Sequence, residues 1–359
     1  MRTKLNKKTL AAGAVSLAMA AAGIGTASAG TIPVLFDPTG SGGANGILVD
    51  TFDWAPGNAL AVGSVPLSQD PNNPTPFTLL AQAKLSTLRL NGANVTPATL
   101  NPDNITFVTG FGETGYTFLS PSGNKAFADL TVDPNAGPNF FEIWVNTTGG
   151  SPANDLSGYG FNSGTLILKG RLTSGTGEFA INLDPNTGLP VTASLDQAGT
   201  NDWVKAGPGG TNQLTVTGTG STTLQMTVDI SGPGAYVNPN YFPGGTLPQQ
   251  FKIAMFDTQN TVPFDQVDPS TCFTMEGDPD ATGNTNGPGQ PARCNATAFT
   301  ASGSIDTTDP AGTHNPALGA INGASGPDFL FETDAKMSFV PEPAGIALLG
   351  AGLLGLGFG

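Results

Sequence analysis

One short strand-like run, Phe140–Thr147, presents two kinds of face. Phe141, Ile143 and Val145 form an apolar face, and Phe140, Glu142, Trp144 and Asn146 fall on the other, because side chains alternate along a strand. An aromatic plane flanked by a carboxylate and an amide can stack on a sugar ring while bonding its hydroxyls. Glu142, Trp144 and Asn146 are therefore candidate glycan contacts; the competing reading puts Trp144 beneath a loop or a second layer. A second cluster, Glu276, Asp278, Asp280 and Asn284, offers oxygen atoms at alternating positions, with Gly283 and Gly287 for the turns. Calcium favours such hard oxygen ligands. The EF-hand pattern is not met, since Gly289 stands where a bidentate Glu belongs, and a solvated acidic loop is the other reading. Calcium is the one cofactor the sequence suggests.

Other chemistry is thinly supported. His314 is the one histidine, in Gly-Thr-His-Asn-Pro, which reads as an exposed turn. A lone histidine cannot make a His-based zinc cluster. No G-x-S-x-G stretch accompanies it to suggest a hydrolase. Among 27 acidic residues any two could meet as paired carboxylates, so a secreted carbohydrate-active enzyme stands as the alternative to a non-catalytic protein.

The elements that would position these residues are strands. Gly (50) and Pro (30) are abundant, and charged residues are only 11%, which leaves little room for long helices. Thr31–Asp37 reads as a first strand before a Gly40-Ser-Gly-Gly43 turn. Phe77–Leu90 alternates cleanly and ends at Asn91-Gly92, a strong turn signal. Ile105–Gly110, Tyr116–Leu119 and Ala126–Val132 follow as short strands. Thr165–Leu172 and Gly177–Leu183 read as a hairpin around Ser174-Gly175, and Gln213–Thr217 with Thr222–Ile230 as another around Gly218-Thr-Gly220. Phe329–Phe339 reads as the last strand. Strands at this spacing predict an all-β fold, an antiparallel sandwich or a barrel-like meander with Gly/Pro-rich loops. The stretch 233–320 is richer in Pro, Gly and Asn; one domain is the preferred reading, and a loop-rich insertion there is the runner-up.

The two ends carry addresses. Arg2, Lys4, Lys7 and Lys8 precede an apolar run, then Ala27-Ser-Ala29 and Gly30. This is the order of a secretory signal, so signal peptidase is expected to cleave after Ala29 and residues 1–29 to be absent from the mature chain. An even cysteine count in an exported chain predicts a Cys272–Cys294 disulfide. Without the leader, 9 basic residues face 27 acidic ones, a net of −18. So few cations cannot neutralise a phosphate backbone, which argues against a nucleic-acid partner. At the other end Pro341-Glu342-Pro343 precedes an uncharged apolar tail to Gly359, the general form of a sorting signal with a hydrophobic helix.

Pro341, Glu342, Pro343 and that tail resemble the PEP-CTERM signal of Gram-negative exported proteins. The resemblance implies recognition by an exosortase-type sorting protease. Further stretches resemble the flocculation proteins of that class: Phe52-Asp-Trp-Ala-Pro-Gly-Asn-Ala-Leu60, Phe140-Phe-Glu-Ile-Trp144, Asn238-Pro-Asn-Tyr-Phe242, Pro263-Phe-Asp-Gln-Val-Asp-Pro-Ser270 and Asp328-Phe-Leu-Phe-Glu-Thr-Asp-Ala335. The organisation expected is a signal at 1–29, a β-rich mature domain at 30–340 and a sorting tail at 341–359. The function this resemblance implies is that of a non-enzymatic protein of the outer surface or extracellular matrix, promoting floc or biofilm formation alongside extracellular polysaccharide. A polysaccharide-binding module around Trp144 is a further alternative.

Overall fold

The computed structural model describes residues 31–146, 153–156, 158, 160–199, 213–228, 236–243, 253–274, 313–314, 316–324 and 326–340. Thr31–Glu342 forms one compact unit. The leader with Ala27, Ala29 and Gly30, the sorting motif Pro341–Pro343, the calcium candidates Glu276, Asp278, Asp280 and Asn284, and Cys294 all lie outside the described residues.

Ten strands carry the main sheet. They are β1 (Thr51–Trp54), β2 (Gly57–Val62), β3 (Thr75–Leu90), β4 (Ile105–Leu119), β5 (Lys125–Val132), β6 (Asn139–Val145), β7 (Thr165–Asn182), β8 (Gly218–Thr227), β9 (Ile253–Val262) and β10 (Phe329–Val340). The pairings are antiparallel: β3 with β4, β4 with β5 and β6, both of these with β7, then β7 with β8, β8 with β9 and β9 with β10. β10 returns to β1 and β2, and these pair with β3. The sheet thus closes on itself as an all-β, up-and-down meander, the closure that removes the edges an open sheet would expose.

Ten strands fill eight lanes. β1 and β2 lie end to end between β3 and β10, separated by Ala55-Pro56. β5 and β6 likewise share the lane between β4 and β7, joined by a turn in which the Asp133 N–H donates to Gly112. Around the β1–β6 half, large aromatic residues point inward and meet across the interior. Phe107 of β4 packs on Trp54 (4.9 Å), Phe141 (5.5 Å) and Phe256 (5.4 Å), and Phe52 packs on Phe339 (5.7 Å). Trp54 is 1% exposed and belongs to this core. The opposite face of Phe140–Val145 stays true to the reading as well: Phe141, Ile143 and Val145 all join this core.

Outward residues are of two kinds. Leu60, Leu80 and Leu330 are apolar but buried, because Leu195, Phe264, Val267, Phe273 and Leu318 cover them. The covering strap is fixed by polar side chains on the barrel wall. Asn58 donates to Asp268 O (3.0 Å) and accepts from Ser270 N (2.6 Å), and Gln82 donates to Ser270 Oγ and Cys272 O (3.1 and 3.0 Å). Glu332 accepts from the backbone N–H groups of Asp265, Gln266 and Val267 (3.2, 3.0 and 3.3 Å). The Pro263–Ser270 stretch is this strap. Along β8 and the neighbouring part of β7 the outward residues, among them Ser221, Thr223, Gln225, Thr176 and Glu178, are polar and exposed.

Three expected breaks are absent. Ile105–Leu119 is one strand, Thr165–Asn182 is one strand with a register shift between Leu172 and Ser174, and Gly218 and Gly220 lie inside β8. The glycines read as turns serve instead as gaps. A Cβ at Gly218 or Gly220 would come within 2.8 or 2.7 Å of the Phe179 ring, and one at Gly110 within 2.7 Å of Phe140. Within 233–320, where a loop-rich insertion is the runner-up reading, lies β9, a full lane of the barrel. One further expectation is corrected. His314 is not in a turn: it pairs with Phe273 in a two-residue ladder.

Candidate functional site

In the half of the barrel away from the aromatic core, the inward positions change character. Ala59, Ala61, Ala81, Ala126 and Ala128 occupy places where large rings sit on the other side, and the missing volume leaves a cavity of about 740 Å³. All eight lanes contribute to its wall. Phe107 and Phe256 border it toward the packed half, and Phe77, Phe111, Leu224 and Phe331 line its sides. Toward the β4–β5 hairpin it reaches Phe118 and Leu119, which are 41% and 65% exposed, with Phe118 stacked on Phe127 at 5.3 Å.

The few polar groups in this wall mostly satisfy one another. Thr109 donates to Phe140 O (2.7 Å), Asn260 donates to Thr222 Oγ1 (3.1 Å), and Thr258 Oγ1 donates to Thr222 O (3.5 Å). Glu113 is different. It sits inward on β4, beside Phe77 of β3 and Val132 of β5, and is 2% exposed. Among the described residues its carboxyl has neither a hydrogen-bond nor an ion-pair partner, and no other ionisable side chain lines the cavity. Burial disfavours its charged form and pushes its pKa up to about 8, so near neutral pH it is largely a neutral acid that can both donate and accept.

The residues singled out from the sequence lie elsewhere. Trp144 faces outward, as expected, but is 3% exposed and packs with Val108, Phe140 and Phe161 in a cluster outside the barrel. Its indole N–H donates to Glu142 (3.2 Å), and Glu142 pairs with Lys169 (2.9 Å). Asn146 is half-buried and donates to Ser163. Trp144 and Glu142 come together, but the ring has no open face for a sugar to stack on, because Phe161 and its neighbours cover it. Cys272 is buried and is not a free thiol. Among the described residues no three His, Cys, Asp or Glu side chains converge as a metal site would require.

The sequence did contain a signal for Glu113. Phe107, Thr109, Phe111 and Glu113 share one face of a period-two run, so an acid stands where only inward residues belong. Breaking the strand at Gly110 hides that pattern. Comparison with protein-family models, with curated proteins and with solved structures finds no match to this chain.

Proposed function

We propose that this chain is an exported, non-catalytic protein of the outer cell surface or matrix that promotes cell aggregation together with extracellular polysaccharide. The observation that carries the reading is a polar outer face built from complete cross-strand rows. One row runs Thr131, Thr176, Thr223, Asp257, Lys336; the next runs Asp129, Glu178, Ser221, Gln259, Asp334. All are exposed except the half-buried Asp129, which accepts from Tyr116 Oη at 2.7 Å. Five lanes at roughly 4.8 Å spacing make a surface about 20 Å wide, wide enough for several sugar units. Its hydroxyls, amides and carboxylates can hydrogen-bond to sugar hydroxyls, and its carboxylates can hold divalent ions that bridge to an anionic chain. The basic leader and the Pro341-Glu342-Pro343 tail supply the route outward.

The test is a deletion strain complemented with intact chain or with Pro341–Pro343 replaced, scoring aggregation against protein retained at the surface. Aggregation should track the retained amount, and calcium should promote it beyond sodium at matched ionic strength. Equal rescue by sodium would reduce the ionic part to screening. One normally displayed variant with a single carboxylate turned to amide that abolishes aggregation and leaves polysaccharide uncut would point to an enzyme instead.

A further inference from the structure

We propose that the hollow half of the barrel is a binding site for one lipophilic small molecule with a single neutral hydroxyl head, and that Glu113 is the group that receives that head. This goes beyond the aggregation role and does not depend on it. The wall is apolar on most sides and its volume, about 740 Å³, is in the range of small-molecule pockets. Eight-stranded barrels are wide enough either to fill with side chains or to hold one such molecule; here the packed half does the first and the alanine-lined half leaves room for the second.

Glu113 gives the cavity its polarity. A buried polar group without a partner is costly, and the carboxyl is 2% exposed with none among the described residues. The other polar groups that bond across this wall, Thr109, Thr222, Thr258 and Asn260, do so to the protein itself. A hydroxyl head would accept from the Glu113 O–H and donate to its carbonyl oxygen, completing both halves of the group. A carboxylate head would meet no cation in the wall, and an ammonium head would require a charge pair to form in apolar surroundings. The rim fits the same ligand. Phe118 and Leu119 expose apolar surface where the cavity reaches the outside, a place where a solvated rim would be the default for a water-facing hairpin.

The experiment uses the full chain and the neutral apolar fluorophore N-phenyl-1-naphthylamine, displaced by 1-decanol, decanoate or decylamine at pH 7. The fluorophore should bind with enhanced emission, and decanol should displace it at the lowest concentration. Glu113→Leu should keep fluorophore binding while weakening decanol roughly tenfold, the loss of one hydrogen-bonded head. Ala81→Phe and Ala128→Phe, on different strands, should each abolish binding by filling the space, and either one that folds suffices. Absence of fluorophore binding, or binding unchanged in a folded filler variant, overturns the site. Decanol affinity unaffected by Glu113→Leu, or decylamine or decanoate binding most tightly, overturns the assignment of the head. Neither result would alter the aggregation assay, so the two readings fail separately.

Discussion

Replacing Glu113 by Gln should remove most of the pH dependence of stability between pH 4.5 and 8. In the unfolded chain the carboxyl titrates near 4.5, whereas burial in the cavity wall pushes it up to about 8. The folded state therefore holds a proton the unfolded state has released, and each pH step across that window costs the fold about 1.4 kcal/mol. The penalty is absent below the unfolded value, grows as pH rises, and levels off above the folded one, reaching roughly 5 kcal/mol in all. No Asp, Lys, Arg or His among the described residues lines the cavity to offset it. Glutamine has the same shape and stays neutral, so the variant should match the native chain near pH 5 and exceed it by roughly 3–4 kcal/mol at pH 7 to 7.5. Urea unfolding at pH 5, 6, 7 and 8, followed by tryptophan fluorescence with the slope held common, measures this directly. Parallel pH profiles for the two chains would refute the reasoning, because they would mean that Glu113 is as solvated folded as unfolded.

Phe107→Ala should cost about 3–5 kcal/mol in the same urea assay, since that ring touches Trp54, Phe141 and Phe256 at the centre of the packed half. Gly220→Val should destabilise by about 1–3 kcal/mol, because any Cβ there meets Phe179 and the Glu178 carbonyl; a neutral result would show that β8 can shift. Mass mapping of surface-purified protein should find Gly30 at the N-terminus and Cys272 joined to Cys294, with reduction costing roughly 3 kcal/mol on the loop-entropy estimate. An intact leader, or two cysteines that alkylate without reductant, would contradict that expectation.

The class of fold was legible because alternation is a local property. Phe77–Leu85 and Phe329–Phe339 have their inward faces where the period-two pattern puts them, a register shift then bringing Leu88 into the core, and Asn91-Gly92, with positive φ at both residues, turns the chain as its sequence says. What local pattern could not carry was the purpose of a glycine. The same residue makes a turn at Gly92 and a recess for Phe179 at Gly218 and Gly220, and only the partner strand distinguishes them. β9 was hidden for a related reason: its exposed Asp257 and Gln259 and its buried Thr258 and Asn260 give it little hydrophobic contrast, and it lies among Pro- and Gly-rich flanks. The cavity followed from neither. An inward alanine is unremarkable in any one strand, and becomes an empty volume only when several lanes place alanines at the same height.

The shared lanes give the barrel two separately closed girdles. One runs through β1 and β6, the other through β2 and β5, and the six long strands pass through both. The girdle stacked with aromatic rings and the girdle around the void need not loosen together. Amide protons of Phe52, Phe107 and Phe141 should exchange only on global unfolding, whereas those of Phe127 and Ala180 should exchange through smaller openings that leave the first girdle standing. A chain built this way can let its hollow end breathe to admit or release a guest without risking the whole barrel.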